Sequence, residues 1–189
     1  GHREEEGGGR KMSNWNKILK PIVVLCAICV VITGALAATN AATAPVILEA
    51  KEAAETAARA ELIPEADSKF TEVTDVSVDN VTAVYKADNE TGYVITSTSK
   101  GYGGTITVMS SFTPEGTIKQ IKVTEAQETP GFGSNVTDTP SYWTQYGGKD
   151  ASQPLALGQD IDAHSGATIS SKALIRAVNS AIEAYNAIP

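Results

Sequence analysis

Cysteine and histidine are almost missing from this chain of 189 residues, which holds two of each. Cys26 and Cys29 both fall in one apolar run, so a disulfide framework for the rest of the chain is excluded. With only His2 and His164 present, a histidine-rich metal site is excluded as well. Positive charge is also scarce: 15 Lys and Arg stand against 22 Asp and Glu, a net charge of −7. Neutralising phosphates needs a basic face, so a nucleic-acid partner is not expected. A dinucleotide fingerprint is lacking too, because Gly101-Tyr102-Gly103-Gly104 is not a G-x-G-x-x-G. No internal repeat or long low-complexity tract is visible. What is there is enough chain for one globular domain plus an appendage, with a core of its own.

The appendage is N-terminal. Residues 1–11 (GHREEEGGGRK) read as non-native or upstream sequence, with Met12 a more natural start, and residues 1–20 as a tail. From Pro21 to Leu48 no residue is charged, and Ile22 to Ala38 is apolar apart from Thr33. About 20 such residues span a bilayer core of ~30 Å as a helix. A transmembrane helix is therefore expected over residues 21–43. Lys17 and Lys20 precede it, while Glu49, Glu52 and Glu55 follow it. The positive-inside rule then leaves the N-terminus in the cytoplasm and the remainder outside the cell membrane. The alternative is a cleaved signal peptide, since Ala35-Leu36-Ala37 and Ala42-Thr43-Ala44 are small-residue cleavage patterns. Span length favours the anchor. Leu25 and Ile28 stand where a lipoprotein signal needs a small residue before its cysteine. The Cys26-Ala27-Ile28-Cys29 pair is read as helix packing; a redox role would need ligands from another chain.

Beyond the span, residues 45–189 carry ten Lys and Arg against nineteen Asp and Glu. That acidic surface aids solubility and says little about fold. A connecting helix rich in Ala, Glu and Lys is expected over residues 44–64, stopped by Pro64. The period then changes. Val76–Val84, Tyr93–Ser99, Thr105–Phe112 and Ile118–Thr124 alternate as strands. Turn residues separate them at Asp88–Gly92, Gly101–Gly104 and Pro114–Gly116, which predicts an antiparallel meander with one face buried. Gln127–Gly133 is a Pro- and Gly-containing loop, and Tyr142-Trp143 a short aromatic element. Ser170–Ala187 is the clearest helix, with Leu174, Val178, Ala181, Ile182, Tyr185 and Ile188 on one face and Ser170 or Ser171 as N-cap. The fold class is α+β, with residues 65–189 as the globular domain.

The chemistry-bearing segment precedes that helix: Asp162-Ala163-His164-Ser165-Gly166-Ala167-Thr168-Ile169-Ser170. A helix N-terminus offers free N–H groups and the positive dipole end, so an anion placed there is stabilised. Spacing alone allows two readings, an anion site or the more common ordinary helix entry with a capping serine.

The run Ser165-Gly166-Ala167-Thr168-Ile169-Ser170 resembles the flavinylation motif of FMN-binding domains. These occur in the G subunit of the Rnf electron-transport complex and in the C subunit of the sodium-translocating NADH:quinone reductase. Two further features match: Gly101–Gly104 between strands, and Glu128-Thr129-Pro130-Gly131-Phe132-Gly133, which resembles an ETPG loop with Phe132 in place of the usual Leu. The chain length favours the Rnf type. The resemblance implies covalent FMN on Thr168 through a phosphoester, made by a separate flavin transferase from FAD with magnesium. It implies a cofactor site of Ser165, Gly166, Ala167, Ile169 and Ser170, with Tyr102, Gly103 and Gly104 beside the flavin and Glu128 and Thr129 bonding its polar groups. Trp143 is either a cover for the ring or a core residue. Asp162 is a recognition point for the transferase or a turn residue, and His164 a surface turn residue rather than a proton donor. No catalytic or metal-binding residue is implied. The implied protein is an electron carrier, a subunit of a redox-driven ion-translocating ferredoxin:NAD oxidoreductase. Its partners are the other complex subunits, the transferase and the bilayer. A flavin-free anchored binding domain is the reading from another class.

Overall fold

The computed structural model describes residues 15–189; the expected non-native start at residues 1–11 and the start at Met12 lie outside the described residues. The chain divides into two compact units, one ending at Glu52 and one running Ala53–Pro189. A π-helical turn, Trp15–Leu19, leads into α1, Lys20–Leu62. In the first unit, large apolar side chains such as Leu25, Val30, Val31 and Leu36 are exposed, and the helix is long and apolar enough to cross a membrane. The expected span and the expected connecting helix form one continuous helix, α1, which runs through Pro45. Pro45 removes one backbone hydrogen bond. The Ala, Glu and Lys residues after it are strong helix formers and carry the helix on.

The second unit is built on a five-stranded antiparallel sheet in the order β1-β2-β3-β4-β5. The strands are β1 (Phe70–Glu72), β2 (Val81–Ala87), β3 (Tyr93–Lys100), β4 (Thr105–Phe112) and β5 (Ile118–Glu125). Three of them fall where alternation puts them. Val76–Val84 is corrected: the strand starts only at Val81, and β1 is an added short edge strand. Val76 and Val78 are partly buried against the core, so they alternate without a ladder. The left-handed backbone of Asn80, φ 66°, then turns the chain into β2.

The single buried face is also corrected. One face packs on α4 (Thr168–Asn186), burying Ile95, Ile106, Val108 and Phe112 against Leu174, Val178 and Ile182. The other buries Val94 and Met109 against Ala58 and Leu62, in the last turns of α1, and Ile63 and Ala66 beyond it. Pro64 stops α1, and the Gln120 amide donates 3.1 Å hydrogen bonds to the terminal carbonyls of Glu61 and Leu62. Lys122 pairs with Glu61, and Lys119 with Glu65.

Two links orient α4 on the sheet. The buried Ser97 hydroxyl donates to the Ala177 carbonyl at 2.6 Å, and Arg176 Nη2 donates to the Lys100 carbonyl at 2.8 Å. Buried Ala173, Ala177, Ala181 and Ala184 let helix and sheet approach closely. Two single-turn helices, α2 (Ser134–Thr137) and α3 (Pro140–Trp143), lie between β5 and α4.

Candidate functional site

The segment before α4 is held at several points. The Tyr142 hydroxyl donates to the Asp162 carbonyl at 2.7 Å, and the Asp162 amide donates to Gln145 Oε1 at 2.8 Å. Burial pushes the Tyr142 phenol above the ordinary tyrosine range, so it remains a donor at neutral pH. The His164 amide donates to Ser171 Oγ at 3.0 Å, and the Ala167 amide closes a turn on the His164 carbonyl at 3.0 Å. Gly166 sits in that turn at φ 80° with open space around it, so glycine is required by backbone conformation and not by crowding.

The helix begins at Thr168 itself. Ser170 and Ser171 are therefore not its caps: the N-cap position belongs to Ala167, whose methyl side chain has no hydrogen-bonding atom to offer. Among the described residues, no hydrogen bond uses the amides of Thr168, Ile169 or Ser170. The first turn is left with unsatisfied donors, while Thr168 is exposed at its start.

Beside this turn is a cavity of about 500 Å3, lined by Tyr102, Thr129, Phe132, Gly133 and residues 166–170. In the second unit, the exposed large hydrophobics among the described residues are Tyr102, Phe132 and Ile169, at 71, 61 and 52 % exposure. All three line this one cavity. The clustering is informative, because scattered exposed apolar residues are ordinary and a cluster around a concavity marks a binding surface.

Glu128 is half-buried and bonded to Ser170 of the cavity lining. Its Oε1 accepts the Gly103 amide at 3.1 Å, and its Oε2 accepts the Ser170 hydroxyl. Gly101 and Gly133 leave the space this carboxylate occupies, since a Cβ on either would collide with it.

Of the residues singled out from sequence, Tyr102, Thr129, Gly166, Ala167, Thr168, Ile169 and Ser170 meet around the cavity, with Gly103 and Glu128 behind it. Ser165 and Gly104 lie outside the lining. Trp143 is elsewhere: its indole N–H donates to the Val136 carbonyl at 2.8 Å, and it lines a different groove with Leu62 and Gln120. His164 is half-buried in the turn, its Nδ1 2.9 Å from the Ser165 carbonyl. Sequence reasoning did not single out Phe132 and Gly133 as lining residues, or Gly101 as the space around Glu128. The density of glycine in Gly101–Gly104 and Gly131–Gly133 was the available signal.

Residues 101–183 match the family described as FMN-binding domain. The G subunit of the Na+-translocating ferredoxin:NAD+ oxidoreductase complex of Acetobacterium woodii is 30% identical, over 91% of this chain and 93% of that protein. The G subunit of the ion-translocating oxidoreductase complex of Methanosarcina acetivorans is 33% identical, over 93% of this chain and 98% of its own. This chain belongs to that G-subunit family. Among solved structures, Shewanella oneidensis NqrC is 29% identical, with a TM-score of 0.44 over 51% of this chain and 53% of that one. The apolar helix of this G-subunit chain, together with its membrane-complex relatives, supports a membrane location.

The residues present fit FMN. The unused amides of the first turn of α4 suit a phosphate. The exposed Tyr102, Phe132 and Ile169 suit an apolar ring system, and the volume lies within the ordinary range for ligand sites, about 300–1,000 Å3.

Proposed function

We propose that this chain is the electron-carrying subunit of a membrane-bound, redox-driven ion-translocating ferredoxin:NAD oxidoreductase, with FMN joined by a phosphoester to Thr168. The observation that carries the reading is the exposed Thr168 at a helix N-terminus with no side-chain cap, lining a cavity together with the exposed large apolar residues described in its unit. On attachment by a flavin transferase, the Thr168 hydroxyl loses its proton and gains the Oγ–P bond, while the pyrophosphate bond of the FAD donor breaks and AMP leaves. The amides of Thr168, Ile169 and Ser170 would then hydrogen-bond the phosphate oxygens and complete the helix cap. Tyr102, Phe132 and Ile169 would pack on the ring system and keep water from part of it. Bound there, FMN supplies electron-transfer chemistry; the protein fixes its place and tunes its potential.

The apolar part of α1 serves as the anchor, with the N-terminus cytoplasmic and the FMN domain extracytoplasmic. The lysines before the apolar run and the glutamates after it support that orientation. Near-complete coverage of the G-subunit relatives supports assembly with further complex subunits, where ferredoxin and NAD bind.

The test is to produce the full chain with a flavin transferase and run it on a denaturing gel. A band fluorescent under ultraviolet light, carrying the mass of one FMN phosphoester, is expected. Thr168→Val should lose both signals and keep its far-UV circular dichroism. A dark wild-type band would overturn the flavin reading, and a fluorescent Thr168→Val band would overturn the attachment point.

A further inference from the structure

The cavity is assembled from three parts that are distant in sequence: the β3–β4 turn, the 127–133 loop and the first turn of α4. One side chain joins all three. Glu128 belongs to the loop, accepts the Gly103 amide of the turn at 3.1 Å and accepts the Ser170 hydroxyl of the helix. Ser170 is 42 residues away in sequence and only 2 % exposed. The surroundings are shaped to this carboxylate: a Cβ at Gly101 or Gly133 would meet its oxygens, and one at Gly103 would meet the Gln127 carbonyl. Each carboxylate oxygen thus accepts one hydrogen bond from the protein.

We infer that Glu128 is a positioning residue: it braces the β3–β4 turn against the first turn of α4 before any flavin arrives. This rests on the flavin reading of the site and extends it. Thr168 is two residues from Ser170, and Tyr102 is one from Gly103. A single carboxylate therefore sets the attachment hydroxyl and the apolar rim relative to one another. Without it, the Gly103 amide and the Ser170 hydroxyl lose their common partner, and setting the apolar rim against the first turn of α4 falls to the ligand or the transferase. Preset geometry of this kind lowers the cost of binding and reaction, because less freedom is lost at that moment.

Four variants of the full chain test the brace: Glu128→Ala, Glu128→Gln, Ser170→Ala and the Glu128→Ala/Ser170→Ala double. Glutamine keeps the length of the side chain. Its carbonyl can accept the Gly103 amide, and its NH2 can donate to Ser170 Oγ. Hydrogen exchange of the Gly103 amide is read in the flavin-free protein, and the rate of FMN attachment by intact mass. Visible circular dichroism of the loaded fraction reports the surroundings of the ring. Glu128→Ala is expected to speed Gly103 exchange about tenfold or more. It is also expected to slow attachment about tenfold or more, because small misplacements at a reacting centre are costly. Glu128→Gln should recover much of both, which a bare requirement for negative charge would not allow. Ser170→Ala should fall between, and adding it to Glu128→Ala should cost nothing further, since the two act as one unit.

The brace is overturned if folded Glu128→Ala loads within about twofold of wild type with the same visible spectrum, a difference too small for a misplaced reacting centre. It is equally overturned if Glu128→Gln is as slow as Glu128→Ala. If Glu128→Ala does not fold, Ser170→Ala decides: wild-type loading there overturns the proposal. A wild-type chain that takes up no FMN would overturn the flavin reading. The exchange measurement on the unloaded protein would still separate a braced Gly103 from an unbraced one.

Discussion

Replacing Tyr146 by phenylalanine is expected to stabilise this protein. Tyr146 is fully buried in the main core, and its hydroxyl has no hydrogen-bond partner in the structure. A buried hydroxyl without a partner costs its desolvation, about 1–3 kcal/mol. Phenylalanine keeps the ring and its packing and drops the orphaned group. The expected gain is therefore about 1–3 kcal/mol, or roughly 3–5 °C in Tm per kcal/mol for a domain of this size. The same burial adds a pH signature. It pushes the Tyr146 phenol far above the ordinary tyrosine value, with the neighbouring Tyr142 adding to the shift. Above about pH 10 the unfolded chain loses this proton while the folded chain keeps it. The folded state then binds more protons, so stability falls as pH rises, by up to about 1.4 kcal/mol per pH unit for this group. Below pH 10 its contribution is constant. Tyr142 and Tyr185 are also shifted upward by burial and leave part of the alkaline slope in place. Urea unfolding of the full chain in mild detergent, followed by near-UV circular dichroism from pH 7 to 11, checks both arms. Tyr146→Phe should be more stable at pH 7, and its advantage should widen above pH 10. A variant that is less stable at pH 7, or that has the wild-type alkaline slope, would refute the reasoning and mean that the hydroxyl has a partner.

Leu174→Ala removes a fully buried side chain between α4 and the sheet and should cost about 2–5 kcal/mol by urea unfolding. Trp143→Phe loses the indole bond to the Val136 carbonyl and should cost about 1 kcal/mol. Attachment of FMN should be unaffected by it, as measured by gel fluorescence, because Trp143 lies outside the cavity. Gly103→Ala drives a Cβ into the Gln127 carbonyl, a backbone atom that cannot swing away. A destabilisation of about 1–3 kcal/mol is expected, with slower FMN loading by intact mass.

Local chemistry accounts for what could be read early. Strands β3, β4 and β5 follow from alternation and turn residues, and α4 from its apolar stripe, because each signal lies within one element. Where local signals mislead, a tertiary contact is the usual reason. Val76 and Val78 alternate like a strand but touch the core without pairing. Ser170 and Ser171 look like caps, yet each is drawn into a long-range or loop contact, with Glu128 and His164.

The candidate site divides in the same way. That Thr168 would stand in a small-residue segment at the start of a helix could be read from the sequence, and the glycine density of both loops signalled that side chains are not tolerated there. Chain order alone could not say that Tyr102, Phe132 and Ile169 would ring one cavity while Trp143 pointed into another groove. Nor could it say that both oxygens of Glu128 would face the protein. Those outcomes depend on how three separate segments meet in space. Sheet register and helix packing decide that, and no short window of residues encodes it.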